Sequence, residues 1–158
     1  MGILERITQN TDNIYWESGE EYFPVKNRYT AGVAGQRFLE EIKENARIYG
    51  SKCSNCQLIH VPPKMYCERC FAELKEWVDV GIKGSVYTYT VAHVEKDGSE
   101  KTNPTLVAAV KIADGFIMHR LENCKPEDVE IGMEVQANFK PKGERTGSIM
   151  DISGFELV

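Results

Sequence analysis

The sequence predicts a mostly β protein in three parts: an N-terminal arm with one helix (residues 1–46), a cysteine-rich ribbon (47–76) and a five-stranded barrel (77–158). Three observations carry that reading. Four of the five cysteines fall within the stretch Cys53 to Cys70. Five β-rich runs follow Trp77, separated by turn dipeptides. A single segment, 35–46, has the period of an amphipathic helix.

Residues 1–34 scatter Tyr15, Trp16, Tyr22, Phe23 and Tyr29 among Asn, Glu and Gly without clear periodicity, which predicts an irregular arm. Five aromatic side chains in such an arm call for a surface to cover them, and aromatic residues are enriched at the centres of interfaces. From Gly35 to Ala46, Phe38, Leu39, Ile42 and Ala46 recur at helical spacing. Glu40, Glu41, Lys43 and Glu44 take the opposite face, so one amphipathic helix is expected there. Beyond the ribbon, Val86 to His93, Leu106 to Ile112, Phe116 to Leu121, Glu134 to Phe139 and Ser148 to Leu157 read as strands. Asp97-Gly98, Asp114-Gly115 and Lys142-Gly143 mark turns between them, the middle one tight enough for a hairpin. Pro126, Glu127 and Asp128 predict a short helical turn between the third and fourth strands. Five strands with a turn of helix at that place match an OB-type barrel.

The cysteines are spaced Cys53-x2-Cys56-x10-Cys67-x2-Cys70. Two residues within each knuckle let both sulfurs face one point, and two knuckles supply the corners of a tetrahedron. Four thiolates close the shell, leaving no position for water or substrate, so the metal expected on Cys53, Cys56, Cys67 and Cys70 is a structural zinc. A rubredoxin-type iron centre is geometrically possible, since iron also accepts four thiolates. A redox dithiol fits less well, because it needs one Cys-x-x-Cys beside a βαβ pattern. Gln57 and Phe71 follow the two knuckles where glycine would fold most easily around the sulfurs. Between the knuckles, Pro62-Pro63 makes a stiff, extended spacer.

The chain carries 19 basic and 24 acidic side chains, and residues 77–158 alone hold 9 basic against 13 acidic ones. No basic stripe is dense enough to track a phosphate backbone. Glu5 and Arg6 stand where a secretory signal needs apolar residues, and no apolar run approaches the ~20 residues of a membrane span, so a cytoplasmic protein with no membrane partner is expected.

With the helix, "HVPPKMYCERC", Trp77 to Gly81, "GSVYTYTVAH" and "IGMEV" in view, residues 35–158 resemble the acyl-CoA-associated OB-fold family with a rubredoxin-like zinc ribbon. The resemblance implies a cytoplasmic auxiliary or scaffold subunit beside a thiolase-type enzyme. Zinc would hold its ribbon, while acyl-CoA would be bound mainly by the partner subunit. Lys64 stands where the family often has Arg, and Gln57 where it often has Gly, two mild departures. The segment "RYTAGVAGQRF" resembles variants that pair tightly with a thiolase, with thiolytic cleavage of benzoylsuccinyl-CoA in anaerobic aromatic degradation as the specific reaction implied.

Thiolase chemistry needs a nucleophilic Cys, an acid/base partner and an oxyanion hole, and no such set is recognisable, so no catalytic residue is assigned. Cys124 lies outside the ribbon beside Lys125, which with the following turn would lower its pKa. A loop cysteine without a role is the simpler reading. His60, His93 and His119 are uncommitted. The competing class is a zinc-ribbon and OB-fold nucleic-acid-binding module, for which Tyr87 and Tyr89 on one strand face would have to stack bases. The acidic balance argues against it.

Overall fold

A computed structural model describes residues 5–8, 14–20, 23–95 and 97–158, with side chains from Thr30 onward, Lys96 apart. The N-terminal segment is a three-stranded antiparallel meander, β1 (Glu5–Thr8), β2 (Ile14–Glu20) and β3 (Phe23–Thr30), with Trp16 opposite both Arg6 and Tyr29. The expected irregular arm is thus paired backbone. A register shift between Ser18 and Glu20 breaks the two-residue alternation that would have revealed the strands. Tyr22 of the predicted aromatic set lies outside the described residues.

Helix α1 (Gly32–Asn45) starts three residues before the predicted Gly35. It buries Ala34, Phe38 and Ile42 on one stripe. It ends on Ala46 in the left-handed region, with the Ala46 and Arg47 amides returning to the Ile42 and Glu41 carbonyls at 3.2 and 3.3 Å. That double closure satisfies carbonyls which the helix end leaves open. Arg145, from the connection ahead of the last strand, donates Nη1 to a further one, the Lys43 carbonyl, at 3.2 Å. On the other side Arg37 lies over the Trp77 ring at 4.7 Å, so the helix is fastened to both neighbours.

The ribbon sheet has the order β5-β4-β6, from Tyr49–Lys52 (β4), Ile59–His60 (β5) and Glu76–Asp79 (β6). The lead-in run Trp77 to Gly81 therefore begins as a ribbon strand, with Trp77 opposite Ser51. Five strands form the barrel: β7 (Lys83–Val94), β8 (Glu100–Ile112), β9 (Gly115–Arg120), β10 (Glu134–Phe139) and β11 (Ile152–Leu157), in the order β11-β10-β7-β8-β9. A parallel bridge between Leu121 and Phe155 links the two ends of that sheet, and the Arg120 guanidinium donates to the Ser153 carbonyl at 2.7 Å beside it. The predicted turn of helix is a 3-10 turn at Pro126–Asp128, between the third and fourth strands. Val86, Val110, Val135, Ile152 and Phe155 fill the barrel centre. The predicted last strand begins with a 3-10 turn instead, because buried Asp151 gathers the amides of Thr146, Gly147 and Ser148 at 3.0, 2.6 and 3.1 Å.

Ribbon and barrel meet at the β8–β9 hairpin. The corner residues are Ala113 and Asp114, and Ala113 carries the positive φ. Gly115, expected as a turn glycine, opens β9 and is needed for another reason: a Cβ there would stand 2.0 Å from the Val61 carbonyl oxygen. Three hydrogen bonds cross this contact. Phe116 N–H donates to Val61 O at 3.0 Å, Asp114 N–H to Ile59 O at 3.2 Å, and Ile59 N–H to the Asp114 carboxylate at 2.9 Å. Among the described residues no helix is long and apolar enough to cross a membrane.

Candidate metal centre

Each knuckle is built the same way. The Cys53 amide donates to Leu58 O and the Gln57 amide returns to Cys53 O, at 2.8 and 2.9 Å; Cys67, Ala72 and Phe71 repeat the pattern at 2.8 Å. Gln57 and Phe71 sit in the left-handed region at φ 62° and 59°, the conformation that glycine would supply without strain. The sequence's doubt about these two positions thus fell on the backbone feature that shapes both turns.

The four sulfurs lie within 4.8 Å of one another, with Cys53–Cys70 at 3.5 Å, Cys56–Cys67 at 3.4 Å and Cys56–Cys70 at 3.9 Å. Zinc–sulfur bonds of about 2.3 Å in a tetrahedron require edges of about 3.8 Å, so the cage has the right size. Its proton affinities are split. The Cys56 amide leads in lowering the Cys53 thiol to about 6. Burial pushes Cys67 up, but the amides of Cys70 and Arg69, together with the His60 side chain, outweigh it and bring the thiol down to about 7. Burial, with the Cys67 and Cys53 side chains, pushes Cys56 up to about 12. At Cys70 the Ala72 amide pulls down, but the neighbouring Cys53 and burial win and the thiol is raised. Four thiols this close cannot all ionise alone, because each new thiolate disfavours the next. A divalent cation removes that conflict, so the donor set fits zinc held by four thiolates.

The remaining predicted candidates lie elsewhere. His93 is exposed near the end of β7, whereas His119 is buried in the barrel with its ring 6.2 Å from Phe155 and neither ring nitrogen hydrogen-bonded. Cys124 packs against the barrel core, where burial, followed by the Asp128 charge, pushes its thiol up. The lowering expected from Lys125 is overturned, because desolvation and a nearby carboxylate both oppose the thiolate. Tyr87 and Tyr89 do not share a face. A bulge between Val86 and Thr88 turns Tyr87 outward, 58% exposed and 4.7 Å from the Phe116 ring, while Tyr89 packs on the core. The base-stacking platform that a nucleic-acid module would need is therefore not formed by these two.

Sequence reading missed the surroundings of the centre. His60, Pro62, Lys64 and Glu68 from the ribbon and Gly115 and Phe116 from the barrel line a cleft of about 270 Å³ between the two units. The signal lay in His60 itself, a histidine inside the cysteine loop, but only the fold shows that it is 3% exposed.

The ChsH2 rubredoxin-like zinc ribbon domain matches residues 43–76, and the ChsH2 C-terminal OB-fold domain matches residues 77–140. A DUF35 domain-containing scaffold protein of Methanocaldococcus jannaschii is 37% identical over 106 residues, which span 66% of this chain and 75% of that protein. The chain belongs to the DUF35 family. A DUF35 crystal structure from Sulfolobus solfataricus superposes with a TM-score of 0.62 at 24% identity, covering 80% of this chain and 84% of the other. The DUF35 fold recurs in the Ltp2-ChsH2(DUF35) aldolase, at TM-score 0.54 and 26% identity over 69% of this chain and 85% of that one. The two ChsH2 models thus match this chain with the zinc ribbon first and the OB fold after it.

Proposed function

We propose that this DUF35 chain is a non-catalytic, zinc-held scaffold subunit of a thiolase-type acyl-CoA C-acyltransferase complex. Ribbon and helix dock the thiolase, and the barrel helps form the acyl-CoA passage. The observation that carries the reading is how the chain uses its cysteines. Four are committed to a closed cage, and the fifth, Cys124, is made a poorer nucleophile by burial and by Asp128. The scaffold name of the Methanocaldococcus jannaschii relative and the pairing of a DUF35 chain with Ltp2 in an aldolase support an auxiliary role. The N-terminal segment extends the proposal to benzoylsuccinyl-CoA as the substrate cleaved. Acyl-CoA itself is held mainly by the partner, with zinc as this chain's own cofactor.

Co-purification from the native host under gentle conditions tests it. A thiolase-type subunit should accompany the chain, and carbon–carbon cleavage of acyl-CoA should require both. Turnover by the isolated chain that Cys124→Ala abolishes would refute the non-catalytic role. A nucleic acid or an unrelated enzyme as the stable companion would refute the thiolase assignment.

A further inference from the structure

The cage of four sulfurs has a neighbour that simple ligand counting leaves without a task. His60 stands on β5 almost wholly buried, and its Nε2 has no hydrogen-bond partner among the described residues. Its other ring nitrogen faces the Glu68 carboxylate at 3.9 Å, beyond the reach of a direct bond. Glu68 is in any case bonded to Lys64. An imidazole N–H buried without an acceptor is costly, so it needs a partner within the fold. The acceptor at hand is Cys67, fully buried on the second knuckle and next in the chain to Glu68, which the His60 ring faces. A thiolate bound to a metal keeps lone pairs that accept such a donor, and donors of this kind orient ligands and tune the bond.

We propose that His60 is a positioning residue of the metal centre, donating Nε2–H to the Cys67 sulfur and thereby slowing loss of the metal. The barrel fixes that donor from outside the ribbon. Ile59 and Val61, the residues on either side of His60, are the ones clamped by Asp114 and Phe116 at 2.9 to 3.2 Å. Those bonds hold the backbone on both sides of His60 and so fix where on β5 its side chain starts. Metal retention in the ribbon is thereby tied to the seating of the barrel against it.

Zinc release from the full-length chain into excess chelator is the first measurement. His60→Phe keeps the bulk but removes the donor, and should release zinc about tenfold faster or more, the scale seen when such outer partners are lost. His60→Gln places an amide N–H near the same point and should stay within about threefold of the wild type, given that a directed donor rather than packing is what matters. In the cobalt-substituted protein, His60→Phe should move the sulfur-to-metal charge-transfer band to longer wavelength, because a thiolate that has lost its donor gives up an electron more readily. A readout on the unaltered chain covers the case in which His60→Phe does not fold. With NMR-active cadmium in the cage, the His60 Nε2 proton should correlate with the metal through the N–H···S bond. Wild-type release from His60→Phe, equally fast release from both variants, or no proton–cadmium correlation would each overturn the assignment.

Discussion

Gly115 and Val61 approach so closely that a single methyl group on the glycine would stand 2.0 Å from the Val61 carbonyl oxygen. Backbone atoms cannot step aside as a flexible side chain does. Gly115→Ala should therefore cost about 3 kcal/mol or more, at or above the top of the usual range for overpacking, and thermal melting should show it directly. Metal content should stay at one per chain, since the knuckles are untouched, but release should quicken as the clamp beside His60 loosens. A melt within about 0.5 kcal/mol of the wild type, the level of an ordinary surface change, would show that the contact is not closed in solution.

Protein purified without added metal should carry one zinc per chain, measured by elemental analysis. Cys67→Ser should remove it and unfold the ribbon, because metal binding supplies most of the folding energy of so small a unit. Stoichiometric iron, or full metal content after Cys67→Ser, would contradict the four-thiolate zinc cage.

Acid sensitivity should have a source in the barrel. Burial holds the His119 pKa below its ordinary value, with the Arg120 charge acting in the same direction and Glu122 opposing it. The unfolded chain then binds a proton at about pH 6.5, where the folded chain does not. Stability accordingly falls as the pH drops below about 6.5, and levels off once the folded form is protonated as well. Denaturant titrations from pH 7.5 to about 5 should show this slope, and His119→Leu should flatten it. An unchanged slope in His119→Leu would place the sensitivity elsewhere.

Among the described residues, strands β1 to β3 pair with one another and join neither of the other two sheets. Deleting residues 1–30, which leaves α1 whole, should preserve zinc content and a cooperative melt. Association with the proposed thiolase-type subunit should weaken by about tenfold or more, the scale expected when aromatic residues are removed from the centre of an interface. Loss of the metal, or full-strength association by the truncated chain, would show that this sheet is not the docking element.

Where the polypeptide follows a local rule, the sequence was a sufficient guide. The cage at Cys53, Cys56, Cys67 and Cys70 depends on spacing alone, and β10 runs from Glu134 to Phe139 as predicted because its burial alternates cleanly at the start. The helix was legible from Phe38 and Ile42, but its start was placed at Gly35, three residues late, because the apolar spacing read there begins at Phe38 and leaves the first turn unmarked. Strand β8 was cut short at Leu106 for a different reason. Pro104 argues against a strand, yet it lies where the β7–β8 register shifts between Ala92 and Val94, a place where a residue without an amide proton is tolerated. What could not be read was long-range. The bulge at Tyr87, the buried position of His60 and the need for Gly115 all depend on a neighbour tens of residues away, and periodicity carries no trace of that.

The double attachment of the ribbon decides how the molecule carries force. β6 continues directly into the barrel, which is a hinge, but the three hydrogen bonds between Ile59–Val61 and Asp114–Phe116 add a strut from the segment between the two knuckles. A hinge with a strut does not swing. A protein that grips the ribbon thus also sets the tilt of the β8–β9 hairpin and of the outward-facing Tyr87–Phe116 ring pair above it, so a pull at one end of this chain arrives at the other as a rigid turn.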